Sequence, residues 1–244
     1  MSHLLPNLCK LYCHQSLQKI LNPKLSVSGY RKFTGINYEL LVDVGNLGPD
    51  YIPGHAHCDI FNFELYIHSK PVIVDTGTST YEQNTRRMEE RGTKSHNTVV
   101  LGNFEQSEIW ASHRVGRRAR TIIKDENVNH VAAEHNGYER FGIIHQRTFL
   151  CTEHQIEITD YLDRAGEFST FLYLHFYPGI KITLINNTIV GEGFQINFQG
   201  NNYIKLNSYK FSPEFNVTLE APLVMVEFTN HLKTVIHFED IIHH

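Results

Sequence analysis

The sequence predicts an all-β chain: a large antiparallel β-sandwich of two or more stacked sheets, preceded by one short N-terminal helix. From about residue 25 onward, short alternating or β-branched runs are separated by Gly, Asn, Asp and Pro, which is typical of strands joined by turns. The gaps are hairpin-sized and contain no helical pattern, so consecutive strands are expected to pair antiparallel. The composition, with 41% hydrophobic and 20% charged residues, is that of a globular domain.

The individual elements follow from these patterns in chain order. Residues 4–21 carry apolar side chains at near-helical spacing, and Asn22-Pro23 ends this predicted helix. The segment 77–94 is rich in Thr, Arg and Glu, has no strand pattern, and is predicted to be an irregular loop that carries binding groups. We therefore divide the chain into a helical segment, 1–25, and a sandwich, 26–244. The predicted strands are 38–44, 61–67, 71–74, 97–101, 120–123, 130–134, 143–150, 155–161, 168–176, 180–185, 188–190, 194–198, 203–209, 217–219, 223–228 and 234–238.

Composition and motifs argue against several classes of function. Lys+Arg 22 against Asp+Glu 26 gives a net charge of −4, which does not suit a protein that coats nucleic acid. There is no P-loop, GxGxxG or GxSxG motif, no run near the roughly 18–20 apolar residues of a membrane span, and no recognisable export signal. The 4 cysteines form no CxxC pair. Histidine is frequent, 16 of 244 residues, which makes metal or proton chemistry worth testing.

The densest group of candidate residues is a His-x-His-x-Asp string. Residues two apart in an extended chain point to the same side, so His55, His57 and Asp59 are expected to converge. Asp75 ends an apolar strand and His96 introduces another, and together with His57 they would make a three-ligand zinc site. Alternatively, Asp75 caps the turn that follows it and His96 forms hydrogen bonds in the core. Spacing alone leaves both interpretations open.

Basic residues flank this region in two clusters. The arginine fork matches carboxylates and sulfates, so the clusters favour an anionic partner, whereas a solvated face paired with nearby glutamates is the alternative. Aromatic and guanidinium groups in 136–147 could hold sugars or belong to the core. The first cluster is Arg86, Arg87, Arg91 and Lys94, and the second is His113, Arg114, Arg117, Arg118 and Arg120.

Four motifs occur in order along the chain: GPDYIPGHAHCD (48–59), FNFELYIHSKPVIVDTGTSTY (61–81), RGTKSHNTVV (91–100) and EQSE (105–108). Together they resemble the C-terminal β-sandwich of the heparinase II/III-like polysaccharide lyases, and the weaker NGYERFGIIHQR (136–147) fits as well. The resemblance is strong over 38–150 and diffuse over the later strands.

The resemblance implies a function and a set of site residues. Such lyases cleave uronic-acid-containing polysaccharides by β-elimination, in which a base removes the proton α to the uronate carboxylate and an acid protonates the leaving oxygen. His55 matches the histidine that faces the substrate. His57, Asp75 and His96 match the ligands of one structural zinc ion. Arg91 and Gln106 match positions near the cleft and are expected to contact the acidic polysaccharide.

The chain departs from the family in one respect. Family lyases place an (α/α) toroid before the sandwich and take the principal catalytic tyrosine from it, whereas this chain has room for one helix. Residues 1–25 are therefore expected to be a remnant of the toroid, and full activity is expected to need a helical domain outside this chain. Tyr81 is an alternative acid or base.

Two other functions stay open at this stage. One is a non-catalytic module for acidic-carbohydrate binding or assembly, and the other is a purely structural β domain. Glycosaminoglycans, alginate and bacterial exopolysaccharides are equally open as substrates. The resemblance implies a periplasmic or secreted location.

Overall fold

The computed structural model describes residues 28–48, 51 and 53–239, and the predicted helix over 4–21 lies outside them. No helix in these ranges is long and apolar enough to cross a membrane. The helix within 77–94 is α1 (Thr85–Arg91). The strands are β1 (Tyr30–Thr34), β2 (Tyr38–Asp43), β3 (Phe63–Ile67), β4 (Lys70–Ile73), β5 (Val99–Leu101), β6 (Ile109–Trp110), β7 (Arg114–Val115), β8 (Thr121–Asn127), β9 (His130–His135), β10 (His145–Cys151), β11 (Gln155–Leu162), β12 (Thr170–His175), β13 (Ile182–Ile185), β14 (Thr188–Gly191), β15 (Phe194–Phe211) and β16 (Leu219–Phe238).

The first sheet is a four-stranded antiparallel meander in the order β1-β2-β3-β4. Its strands alternate between buried and partly exposed residues, as in β2, where Tyr38, Leu40 and Val42 are buried. This period of two puts one face of the sheet into the core.

The second sheet has the order β13-β14-β15-β16-β11-β10-β9-β8, and β12 and β5 branch from it at β16. The branch forms because β16 is long: its first half pairs with β12 and its second half with β11. β15 follows β16 along its length, with register shifts around Gly200. A small third sheet pairs β6 with β7.

The two large sheets pack face to face on one hydrophobic core. Phe63 of the first sheet meets Phe149 of the second edge-on, with ring centroids 6.0 Å apart, and Tyr38 stacks on Phe238 at 4.5 Å. Both sheets contribute fully buried aliphatic and aromatic side chains to the core. The predicted all-β antiparallel sandwich is confirmed.

The prediction for 77–94 is wrong in one respect, because Thr85–Arg91 forms helix α1 rather than loop. Asn84 caps the helix, and its side chain accepts a hydrogen bond from the Arg87 backbone N–H at 2.9 Å. Arg87, Glu90 and Arg91 are buried. The side chains that this helix buries are therefore charged rather than apolar. For this reason the sequence shows no apolar periodicity that would predict a helix here.

Candidate functional site

His55 ends a short 3-10 turn, Pro53–His55, in the loop that joins β2 to β3. Its side chain is exposed, and its ring centroid lies 5.3 Å from that of Tyr81 and 5.4 Å from that of His113. Tyr81 is 47% exposed, and the Arg87 guanidinium lies over its ring at 5.0 Å. An exposed imidazole, a phenol and a second imidazole thus meet at one surface.

His57 lies on the inner side of the same loop. Its Nε2 atom is 3.1 Å from Nη1 of Arg87, which can only donate, so Nε2 accepts and the proton of the neutral ring is on Nδ1. Burial, together with the positive charges of His96 and Arg87, lowers the pKa of His57 to about 3. Its ring centroid is 5.4 Å from that of His96.

Asp75 and His96 are in direct contact. Nδ1 of His96 lies 2.6 Å from Oδ2 of Asp75, which also accepts from Asn62 at 2.8 Å, while Oδ1 accepts from the Gly77 N–H at 3.0 Å. Burial alone would raise the pKa of Asp75, but the charge and hydrogen bond of His96 outweigh it and hold that pKa at about 2. Asp75 therefore caps the turn at Gly77 and also touches a predicted zinc ligand.

Nε2 of His96 is buried and has no hydrogen-bond partner among the residues that the structure describes. Buried polar atoms are usually satisfied, so an orphan ring nitrogen next to a second imidazole and a carboxylate needs an explanation. The described residues hold no group of three His, Cys, Asp or Glu side chains already arranged around a common metal position. The zinc site thus stays a prediction.

A cavity of about 720 Å³ opens beside these residues, and His55, His57, Asp59 and Arg120 line it. Asp43 also lines it, and burial and the charge of Asp59 raise the pKa of Asp43 to about 7. Burial also raises the pKa of Asp59, to about 6, against the opposing charge of His96. All three residues of the His-x-His-x-Asp string, His55, His57 and Asp59, thus line this one cavity.

Arg91 and Gln106 are fully buried, which argues against the direct substrate contact expected from the sequence. The Arg91 guanidinium donates to the backbone carbonyls of Ala56 and Ala111, at 3.2 and 3.1 Å. Gln106 donates to the carbonyl of Ile60 at 3.1 Å. Both side chains therefore support the histidine-bearing loop from beneath.

A second support lies deeper, around Arg147. Its guanidinium binds Asp160 with two parallel hydrogen bonds of 2.7 and 2.9 Å, and Nη1 donates to the carbonyls of Phe61 and Asn97, both at 2.8 Å. Phe61 has a φ of 68° and is fully buried. One buried cation thus ties the end of the histidine loop to the residue that follows His96. The sequence left open whether Arg147 holds a sugar or belongs to the core. The structure places it in the core.

Two asparagines that the sequence motifs did not mark as site residues, Asn62 and Asn97, connect these parts. Asn62 donates to Asp75 and accepts from the Asn97 backbone N–H at 2.8 Å. The Asn97 side chain donates to the carbonyls of Phe63 and Val74, at 2.8 and 2.9 Å. Asn97 directly follows His96 in the RGTKSHNTVV motif, and this position is the sequence feature that could have identified it.

Comparison with known proteins agrees with this fold. The family model described as heparinase II/III-like, C-terminal, matches residues 21–237. No curated protein matches the sequence.

Solved structures with a similar fold include heparinase III, the BT4657 gene product, with a TM-score of 0.69 and 18% identity over 90% of this chain and 36% of that chain. A mutant of heparan sulfate lyase HepC from Pedobacter heparinus has a TM-score of 0.67 and 18% identity over 91% and 37%. Another heparinase III structure gives 0.65 and 16% over 86% and 35%. This chain spans little more than a third of the length of these proteins. Because the family model covers nearly all of the sequence and the fold agrees, this chain belongs to the heparinase II/III-like C-terminal domain family.

Proposed function

We propose that this chain is the metal-stabilised β-sandwich of a polysaccharide lyase, which cleaves a uronic-acid-containing polysaccharide by β-elimination together with a helical toroid domain. The observation that carries the proposal is the position of His55. His55 is exposed and lines a cavity of about 720 Å³, on a loop held by Arg91 and Gln106. A side chain presented to solvent on a loop with so many buried supports is pre-organised for a ligand.

The elimination requires a proton acceptor, a proton donor and compensation of the uronate charge. The imidazole of His55 is a side chain of the type that transfers protons in general acid–base catalysis, and the ring of Tyr81, which carries a hydroxyl, lies 5.3 Å away between ring centroids. Arg120 lines the same cavity and offers a cation for the carboxylate. We assign His55 to proton transfer and expect the remaining acid or base to come from the toroid.

Zinc is proposed for the inner side of this loop. His96 contacts Asp75, its ring centroid lies 5.4 Å from that of His57, and its buried Nε2 atom lacks a partner within the described residues. Two imidazoles and a carboxylate are a common donor set for zinc. The metal would supply cross-links between the loop and two strand ends, and β-elimination consumes no water that it would need to activate.

Metal content tests this part of the proposal. The purified chain is expected to contain about one zinc per molecule by elemental analysis, and His96→Ala is expected to lose the zinc together with thermal stability. His237→Ala, which removes an exposed histidine of β16, is the control and should keep both. A wild-type chain that stays free of zinc after incubation with the metal would contradict the assignment.

Activity tests the other part. A protein that joins this sandwich to a family toroid is expected to release unsaturated oligosaccharides from an acidic polysaccharide, detected by their ultraviolet absorbance. His55→Ala should reduce kcat by about 100-fold or more, the usual contribution of a positioned acid or base, whereas His237→Ala should leave it unchanged. Equal turnover in His55→Ala would remove His55 from the mechanism. Binding of the polysaccharide without any unsaturated product would favour the non-catalytic module instead.

A further inference from the structure

A second cavity, of about 560 Å³, lies between helix α1 and the second sheet. The sheet provides its floor: Tyr173 and His175 lie two residues apart on β12, and Leu223 pairs with His175 from β16. Residues of α1, including Arg86 and Glu90, form one wall. Its size is within the range of small-molecule sites, about 300–1,000 Å³.

The cavity is separate from the site at His55. Arg87 and Arg91 of α1 contact the histidine loop, whereas Arg86 and Glu90 line the second cavity. Among the residues that the structure describes, none lines both cavities. A ligand of one site therefore does not occupy the other.

Glu90 is the first indication of a ligand. Its side chain is buried, and four donors converge on its Oε1 atom: the Ser79 N–H and hydroxyl, Nε of Arg86 at 2.8 Å and the Ser212 hydroxyl at 3.3 Å. Its Oε2 atom is buried and accepts no hydrogen bond from any described residue. One oxygen is thus fully satisfied while the other is left for a donor that the described part of the chain does not supply.

Thr76 repeats the pattern. It lines the same cavity, it is 3% exposed, and its hydroxyl has no hydrogen-bond partner in the described ranges. Its backbone carbonyl accepts from the N–H of Ser212, the residue whose hydroxyl reaches Glu90. The two unsatisfied groups therefore belong to one neighbourhood.

Two tyrosines give the cavity an aromatic surface. Tyr173 is partly exposed, and within the described residues its hydroxyl makes no hydrogen bond. Tyr209 is held in place, because its hydroxyl donates to the carbonyl of Phe176 at 2.9 Å and its ring meets that of His175 edge-on at 4.7 Å. Aromatic faces of this kind pack well against the C–H faces of ring-shaped ligands.

The charges that line the cavity balance. Three carboxylates and three cationic side chains contribute, and the Arg86–Glu90 ion pair neutralises the buried one. The cavity therefore has no net attraction for an anion, unlike the acidic substrate proposed for the His55 site. The six side chains are Glu89, Glu90, Glu105, Arg86, Lys94 and Lys210.

We propose that this cavity is a second carbohydrate site. It binds a neutral pyranose unit whose C–H face packs on Tyr173 and of which one hydroxyl group donates a hydrogen bond to Oε2 of Glu90. A pyranose offers the required combination of an apolar face and several hydroxyl donors. The site would hold a neutral sugar, whether free or within a glycan, independently of any cleavage at His55.

Saturation-transfer NMR on the intact chain tests the proposal, with methyl glucoside, methyl galactoside and N-acetylglucosamine as neutral probes and glucuronate as the acidic one. At least one neutral probe is expected to bind more tightly than glucuronate. Tyr173→Ala should weaken that binding about tenfold by removing the stacking surface, and Glu90→Gln should weaken it about tenfold by removing the charged acceptor. Tyr173→Phe should stay within about twofold of the wild type, since it keeps the ring.

Tyr161→Ala is the matched control, because Tyr161 is a similarly exposed tyrosine, 43%, that lines neither cavity. Circular dichroism of each variant establishes that the fold is retained. The proposal is overturned if no neutral probe binds the wild type, if glucuronate binds best, or if Tyr173→Ala binds as well as the control. His55→Ala should leave neutral-sugar binding intact, so failure here and failure of the lyase assignment are separate results.

Discussion

At the scale of single residues, a chain of hydrogen bonds fixes the protonation of two buried histidines. The Gly137 N–H donates to Nδ1 of His135, so the neutral His135 ring carries its proton on Nε2 and donates to Nδ1 of His145. His145 then donates from Nε2 to Asp160, 2.7 Å away. Each ring has one donor and one acceptor role, and both roles are filled only while the rings are neutral.

Stability should therefore depend on pH through His135 and His145. Burial lowers the pKa of both below the ordinary 6.5; for His135 the charges of His145 and Arg147 add to the effect, whereas for His145 the bond to Asp160 opposes it. Below pH 6.5 the unfolded chain binds these protons and the folded chain does not. The contribution of these two histidines to stability is thus complete above pH 6.5 and falls as the pH drops below it, by up to about 1.4 kcal/mol per pH unit for each proton.

The measurement is the free energy of unfolding between pH 7.5 and 5, in the wild type and in His135→Gln. Below pH 6.5, the slope of the unfolding free energy with pH is expected to be smaller in His135→Gln, by up to the amount that one proton contributes. His237→Gln should keep the full slope. Asp160, whose pKa lies below its ordinary 3.8, contributes only at lower pH and does not interfere. If the unfolding free energy has the same slope with pH in the wild type and in His135→Gln, His135 binds its proton in the folded chain as well, and the prediction is wrong.

Contacts between sequence neighbours and strand ends could be predicted from the sequence, whereas contacts across the fold could not. His96 lies beside both His57 and Asp75, at ends of strands that local patterns predict, while zinc ligation by the three stays a prediction. Arg91 and Gln106 are buried through hydrogen bonds to the carbonyls of Ala56, Ala111 and Ile60, residues distant in the sequence, so no local pattern contains their burial. The bonds that Arg147 makes to Phe61 and Asn97 join residues that are 86 and 50 positions away in the sequence, which places them beyond any local prediction.

At the scale of elements, β15 is continuous only because of Gly200. The predicted strands 194–198 and 203–209 are one strand, in which Gly200 has a φ of 89° and lies in a bulge. A Cβ atom there would come within 2.5 Å of the His231 carbonyl oxygen, a backbone atom that cannot step aside easily. The bulge lies where β16 changes its other partner from β12 to β11, and β15 stays paired with β16 on both sides of it.

Gly200→Ala is accordingly expected to lower the free energy of unfolding by about 1–3 kcal/mol, from the left-handed backbone and the close contact. Gly166→Ala is the matched control, because a Cβ atom there meets nothing within 4 Å and the backbone has no positive φ. Denaturant unfolding of both variants measures the difference. A loss no greater in Gly200→Ala than in Gly166→Ala would mean that the bulge relaxes freely.

The sequence indicated most of the strands but not β1, β6 and β7, for two physical reasons. Alternation needs several residues to be visible, so β6 and β7, with two residues each, leave no pattern. β1 is an edge strand with a Lys and an Arg among its five residues, which weakens its apolar alternation. The polar stretches that separate the predicted strands within β15 and β16 lie inside continuous strands, in β15 with register shifts around Gly200.

At the scale of the whole molecule, the two large sheets share one core rather than having a core each. Phe149 of β10 is fully buried against Phe63 of the first sheet, while its neighbour Leu150 points to the other face and is 37% exposed. Sheets that depend on the same buried side chains should open together. The loops of the His55 site span both sheets, so their stability should follow that of the shared core.

Phe149→Ala tests this coupling, since it removes a ring at the contact between the sheets and should cost about 3–5 kcal/mol. Amide hydrogen exchange resolved along the chain is expected to show the same loss of protection in β2 and β3 as in β10 and β11. Leu150→Ala should cost about 1 kcal/mol or less in all four strands, because its side chain is already in contact with solvent. A loss of protection confined to β10 and β11 would mean that the two sheets unfold independently. The stability of the loops at the His55 site would then not follow from a shared core.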